Sequence, residues 1–81
     1  MLSKDLIAKR LGRFELLAGI PYTQNIEKGL LLVAIWRERL KDVNEDKFNF
    51  FCDRIEENGV RWHILPTLTD FFEEMNRPGR I

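Results

Sequence analysis

The chain has 81 residues, of which 44% are hydrophobic and 32% are charged, and its formal net charge is zero. The length predicts a single domain over residues 1–81. The composition excludes an intrinsically disordered chain and is typical of a soluble globular protein. The single cysteine excludes an intrachain disulfide and a zinc finger, and it fits a reducing compartment.

No segment of the sequence is predicted to enter a membrane. The longest apolar run, residues 30–36, is far shorter than the roughly 20 residues that span a bilayer. The N-terminus becomes charged at Lys4 and Asp5 before any apolar run develops, so no signal peptide is predicted. The expected location is therefore the cytoplasm.

The charges are unevenly distributed along the chain. Residues 1–41 contain eight basic and four acidic residues, whereas residues 42–81 contain five basic and nine acidic residues. If the two halves lie apart, the surface is dipolar and suits protein partners or self-association better than nucleic acid. If the halves interleave, which is the arrangement we favour, the asymmetry averages out.

The first predicted helix begins after Ser3, a good N-cap residue, and ends at Gly19, shortly before Pro21. Its apolar residues recur at the spacing of one helical face. This predicted buried face consists of Ile7, Leu11, Phe14 and Ala18.

The second predicted helix begins after Thr23 or Asn25 and runs to about Lys41. Its middle is apolar nearly all round, which predicts burial on several sides. We therefore place this helix at the centre of the domain. The alternative is that one of its sides forms a surface for a partner or for a homodimer.

Two shorter helices are predicted in the second half of the chain. The third lies between Asn44, an N-cap residue, and Gly59, a C-terminal stop. The fourth opens at Thr67, with Asp70 in the position of a capping box, and ends before Pro78. Their apolar stripes are Phe48, Phe51, Cys52 and Ile55, and Leu68, Phe71, Phe72 and Met75. The predicted fold is all-α, a compact single domain of about four short helices around a central apolar helix.

The sequence offers few groups for catalysis or metal binding. His63 is the only histidine, and Cys52 is predicted to lie in the core, where a thiol is inert. Adjacent carboxylates on a helix do not face each other, so the pairs at 45–46, 56–57 and 73–74 are interpreted as solvated charges and not as an acid–base couple. We expect no enzymatic activity, no cofactor and no metal.

Aromatic residues without an evident place in the core are the candidates for protein binding. Tyr22 follows Pro21, Phe50 falls off the stripe of the third helix, and Trp62 lies in the loop before the fourth. Surface aromatics of this kind mark protein interfaces. Arg37, near the end of the second helix, is the candidate for a charged rim. The alternative is that so small a domain folds Phe50 and Trp62 into its core.

The basic residues of the first helix suggest a different function. Lys9, Arg10 and Arg13 are candidates for contacts with nucleic-acid phosphates. The neutral net charge and the acidic start of the fourth helix argue against a nucleic-acid footprint. Direct nucleic-acid binding is therefore not expected, and a small DNA-binding regulator that uses these residues is kept as an alternative.

Several segments between residues 14 and 72 occur in a particular order: Phe14-Glu15-Leu16-Leu17, Pro21-Tyr22, Trp36-x-x-x-Leu40 with the acidic turn after it, a short helix with Phe51 and Ile55, and Pro66-Thr67-Leu68-x-Asp70-Phe71. This order resembles the N-terminal helical domain of phage replicative-helicase loader and inhibitor proteins. The matching residues belong to the scaffold, so the resemblance assigns no functional residue.

The resemblance implies an all-helical adaptor in DNA replication that binds a replicative helicase and an origin-binding initiator. The function predicted from the sequence is thus a non-enzymatic protein-binding adaptor, of the helicase loader or inhibitor type. A phage- or plasmid-encoded inhibitor of some other host protein is a further alternative.

Overall fold

A computed structural model describes residues 2–20 and 26–77, and within these ranges the chain forms four α-helices and no β-strand. The helices are α1 (Lys4–Ala18), α2 (Ile26–Arg39), α3 (Glu45–Asn58) and α4 (Leu68–Asn76). The predicted all-α fold class is confirmed. The predicted helices agree with these bounds to within a few residues.

The ends of three helices are fixed by the side chains that the sequence predicts. Asn44 accepts a hydrogen bond from the backbone N–H of Lys47 at 2.8 Å, and Ser3 caps α1 in the same way. Thr67 and Asp70 form a full capping box, because each side chain accepts a hydrogen bond from the other residue's backbone N–H. These bonds satisfy backbone donors that a helix N-terminus otherwise leaves unpaired.

The hydrophobic core receives side chains from all four helices. The predicted face of α1 is buried in full, with its four residues at most 4% exposed. At the centre, the Phe71 ring of α4 lies 6.2 Å from that of Trp36, 5.7 Å from that of Phe48 and 5.8 Å from that of Phe51. Phe71 therefore joins α2 and α3 to α4, and the core is organised around this ring.

The burial of α2 on several sides that we expected is not observed. Only one side of α2, with Val33 and Trp36, is buried, and Leu40 continues that side just beyond the helix. On the other side, Leu30 and Leu31 are 66% and 61% exposed. The helix packs against α1, and no other described helix covers its outer side. The helix therefore has more apolar surface than the fold buries.

We expected both carboxylates at positions 73 and 74 to be solvated, and this expectation is wrong for Glu74. Its side chain is only 2% exposed, whereas the neighbouring Glu73 is exposed. Glu74 accepts a hydrogen bond from Asn58 Nδ2 at 3.0 Å and lies 3.4 Å from Nη2 of Arg77. Its Oε1 is also 3.6 Å from Nε of Arg54. The carboxylate thus ties the end of α3 to α4 from inside the protein.

Candidate protein-binding surface

Among the described helices, α2 exposes the most large aliphatic side chains, and they lie on its outer side. We call it the α2 face, and its members are Leu30, Leu31, Ala34 and Ile35. All four are exposed, Leu30, Leu31 and Ile35 by 66%, 61% and 41%. Residues three and four positions apart are neighbours on a helix, so these side chains form one strip over two turns. An exposed apolar strip of this kind marks an interaction surface.

A glutamate bounds each end of the α2 face. Glu27 lies one turn before Leu30 and Leu31, and Glu38 lies one turn after Ala34 and Ile35. Both glutamates are exposed. Within residues 2–20 and 26–77, neither carboxylate takes part in an ion pair. Each end of the strip therefore has an exposed carboxylate that an external cation can approach, with the exposed Lys28 beside the first end and the exposed Arg39 beside the second.

A groove between α1 and α2 adjoins the α2 face at Leu30. Its volume is about 300 Å³, and its apolar lining includes Leu11, Val33 and Leu65. Ala8 and Gly12 form part of the α1 wall, where small side chains leave the groove open. A Cβ atom added to Gly12 would meet no other atom within 4 Å. The groove therefore has room for an apolar side chain from outside.

Trp62 lies on the surface, in the loop between α3 and α4, and is 68% exposed. Its ring lies against Gly19, the left-handed residue that ends α1, so closely that a Cβ at Gly19 would overlap the ring. The backbone N–H of His63 donates a hydrogen bond to the carbonyl of Ala18 at 2.6 Å. The loop is thereby attached to the end of α1, and one part of the Trp62 ring remains open to solvent.

The other candidates for protein binding have different surroundings. Phe50 is 48% exposed and touches the edge of the Phe51 ring, 5.1 Å away. Arg37 donates a hydrogen bond from Nε to the carbonyl oxygen of Leu2 at 2.8 Å, so its guanidinium holds the N-terminal segment against α2. Tyr22 lies outside the described residues. Among the described residues, neither the groove between α1 and α2 nor the pocket beside the α3–α4 loop is lined by Phe50, Trp62 or Arg37.

Two of the three α1 residues that are candidates for phosphate contact are engaged with α3. Arg10 donates to Asp53 Oδ1 at 2.7 Å and to Asn49 Oδ1 at 3.1 Å, and its side chain is only 13% exposed. Arg13 makes two hydrogen bonds with Glu56, at 2.7 and 3.0 Å, which raise the pKa of Arg13 above its usual value. The basic and acidic halves of the chain thus pair across the α1–α3 contact. Lys9, the third candidate, is exposed and makes no such ion pair with any residue that the structure describes.

We expect Arg10→Ala to lower the free energy of unfolding by about 1–3 kcal/mol, because it removes charge-assisted bonds and leaves their acceptors unpaired. Lys9→Ala, one position earlier, is the matched control and should change the free energy by at most about 0.5 kcal/mol. Urea unfolding at 25 °C measures both values. Equal effects would show that the Arg10 contacts do not stabilise the fold.

Cys52 and His63 do not form a reactive pair. Cys52 is fully buried, and this burial raises the pKa of its thiol to about 12. His63 is exposed in the loop, at a positive φ of 65°. A thiol that stays protonated at neutral pH is a poor nucleophile. Among the described residues, no group of three or more His, Cys, Asp or Glu is arranged to hold a metal ion.

In comparisons with protein-family models, with curated proteins and with solved structures, no significant match to the chain was found. The resemblance to helicase loader and inhibitor proteins therefore stays a prediction. Of the described helices, none combines the length and the apolar character that crossing a bilayer requires.

Sequence reasoning named Phe50 and Trp62 as candidates but did not name the members of the α2 face. The signal for that face was present in the apolar middle of the second predicted helix, which we assigned to the core. The alternative that one side of this helix forms a partner surface agrees with the observed exposure of Leu31 and Ile35.

Proposed function

We propose that this protein is a non-enzymatic adaptor that binds a protein partner through the α2 face. The observation that supports the proposal is the exposure of three large aliphatic side chains on two successive turns of one helix. Full burial of one such side chain is worth about 1.5–3 kcal/mol. A partner that covers Leu30, Leu31 and Ile35 therefore gains the binding energy of a small hot spot.

The exposed aromatics provide additional contact area for a partner. Trp62 and Phe50 are types of residue that are enriched in interfaces, and both remain substantially exposed. The resemblance found in the sequence makes a replicative helicase and an origin-binding initiator the first partners to test. An inhibitor of another host protein would need the same kind of surface, and only the identity of the partner separates these two functions.

A DNA-binding regulator receives less support. A phosphate contact needs a cation that is free to approach the backbone of the nucleic acid. Arg10 and Arg13 are paired with carboxylates of α3, so phosphate would have to displace Asp53 and Glu56. This competition favours the protein-binding function over the alternative.

The test is capture of partners by the tagged chain in its native host, with a purified replicative helicase and initiator examined in parallel. We expect Leu31→Glu to reduce recovery of the partner at least about tenfold, because it places a charge in the middle of an apolar contact. The change lies on an exposed side of α2, so circular dichroism and the unfolding midpoint should stay close to those of the wild type.

Lys47→Glu is the matched control, since it introduces the same side chain at an exposed position on α3. A glutamate is favourable there, in the first turn of a helix. This variant should recover the partner as the wild type does. If Leu31→Glu and Lys47→Glu recover it equally, the α2 face is not the binding surface. If Trp62→Ala alone loses the partner, the binding surface is the loop.

A further inference from the structure

We infer that the partner segment is an amphipathic helix with a two-turn apolar stripe and a lysine or arginine at each end of that stripe. This inference rests on the proposed function and names the chemistry that the α2 face recognises. It further assigns the groove beside Gly12 to one large apolar side chain of the same partner helix. Three observations support it: the acidic ends of the strip, the mismatch with a second copy of the chain, and the open groove.

The acidic ends define the spacing of the partner's charges. Glu27 and Glu38 are eleven positions apart, which is about 16 Å along the helix axis. Two turns of exposed apolar side chains lie between them. A helix laid along this strip brings its own residues at a similar spacing next to both carboxylates. Cations at those positions form an ion pair at each end, whereas acidic residues repel there.

A second copy of α2 does not meet this requirement. In an antiparallel pair centred on the α2 face, Glu27 of each copy lies opposite Glu38 of the other. In a parallel pair in register, each glutamate lies opposite its own counterpart. Both arrangements bring carboxylates together at the two ends of the contact, which disfavours the dimer unless Arg39, the residue next to Glu38, offsets the repulsion. Lys28 does not readily offset this repulsion between glutamates, because it already has an interaction within the chain.

The groove supplies a position for an anchoring side chain. It opens beside Leu30, so a helix on the α2 face passes its rim. Its volume of about 300 Å³ and its apolar lining suit a large aliphatic or aromatic side chain. Such an anchor in a pocket, next to a flat apolar strip, is a common arrangement for helices bound in grooves.

The test uses two synthetic helical peptides that differ only at the ends of the stripe. Both carry leucines at the spacing of one face over two turns, and both are stabilised as helices to the same degree. One has lysine, the other glutamate, at two positions eleven residues apart. Fluorescence anisotropy measures the affinity of each for the full chain. We expect the lysine peptide to bind about tenfold more tightly at low salt, and the difference to shrink at about 0.5 M salt.

Charge reversal in the protein gives the decisive control. The double variant Glu27→Lys with Glu38→Lys should prefer the glutamate peptide, because the signs at both ends of the strip are exchanged. Equal binding of the two peptides by the wild type, or an unchanged preference in the double variant, would overturn the inference. Dimerisation of the wild type through the α2 face, detected by sedimentation and lost in Leu31→Glu, would also overturn it.

Gly12→Leu tests the groove separately. A side chain at this position enters open space, and a helix gains stability when glycine is replaced, so the variant should fold at least as well as the wild type. We expect its affinity for the lysine peptide to fall at least about fivefold, because the groove is then filled. Unchanged affinity would show that no partner side chain enters the groove.

The outcomes of this test and of the capture test are distinguishable. If Leu31→Glu loses a native partner while the two peptides bind equally, the protein-binding function stands and the assigned partner chemistry is wrong. If Leu31→Glu keeps its partner, the proposed function itself fails at this surface.

Discussion

Replacing Phe71 with alanine is expected to lower the free energy of unfolding by about 3–5 kcal/mol. The side chain is fully buried, and its ring lies within about 6 Å of the rings of Trp36, Phe48 and Phe51. Its removal leaves a cavity where α2, α3 and α4 meet, and the surrounding rings cannot all move into it. A domain of this size is stable by only a few kcal/mol. The variant should therefore be largely unfolded at 25 °C.

Phe50→Ala is the control for this prediction, because it removes the same ring from a site that is 48% exposed. Its expected cost is about 1 kcal/mol, since the ring is half exposed and its one aromatic contact within the described residues is with Phe51. Far-ultraviolet circular dichroism and urea unfolding compare the two variants. If Phe71→Ala cost no more than Phe50→Ala, Phe71 would not be the centre of the core.

Replacing Glu74 with alanine is expected to lower the free energy of unfolding by about 2–4 kcal/mol. The carboxylate is buried among the side chains of Asn58, Arg54 and Arg77. Nε of Arg54 is buried without a hydrogen-bond partner, and Glu74 lies 3.6 Å from it. Loss of the carboxylate therefore removes the counter-charge nearest to this buried nitrogen and leaves the Arg54 guanidinium with Glu57, 3.4 Å from its Nη1. Unfolding measured in urea, which leaves the ionic strength unchanged, gives the value.

Two further variants separate the causes of that loss. Glu73→Ala removes the same side chain from the adjacent, exposed position, and its cost should be at most about 0.5 kcal/mol. Glu74→Gln keeps the shape and an acceptor for Asn58 but removes the charge. A cost for Glu74→Gln close to that for Glu74→Ala would assign the effect to charge. A negligible cost for Glu74→Ala would contradict the structural role of the carboxylate.

The helices could be predicted from the sequence because their signals are local. Ser3, Asn44 and Thr67 cap helices through bonds to residues three positions away, and these bonds depend only on nearby residues. The buried face of α1 follows from the helical spacing of its four residues, Ile7, Leu11, Phe14 and Ala18. Wherever a helix alternates polar and apolar residues in this way, the side that faces the core can be predicted.

The α2 face could not be assigned in the same manner. Periodicity predicts that an apolar helix is buried, but it does not distinguish burial inside the fold from burial by a partner. Leu31 and Val33 are both apolar, and tertiary packing leaves the first exposed and the second buried. The apolar residues of α2 therefore belong to two different surfaces: one packs in the core and the other is exposed.

The ion pairs were also beyond prediction, because they join distant parts of the chain. Arg10 and Asp53 are 43 positions apart, and their contact depends on the angle between α1 and α3. Glu74 looks like Glu73 in the sequence, and only its place on the inner side of α4 separates the two. Tertiary contacts of this kind satisfy polar residues in a core, and no local sequence pattern predicts these contacts.

One tryptophan is buried and the other is exposed, so the intrinsic fluorescence of the protein can report on two different sites. Trp36 is 2% exposed and touches Phe71, whereas Trp62 is 68% exposed and lies on the end of α1. The emission of Trp36 therefore reports whether the core is intact, and the emission of Trp62 reports the solvent exposure of the loop. With Trp62→Phe, fluorescence follows folding alone. Collisional quenchers in the wild type act mainly on Trp62, so folding and contacts at the loop can be followed in one sample without a label.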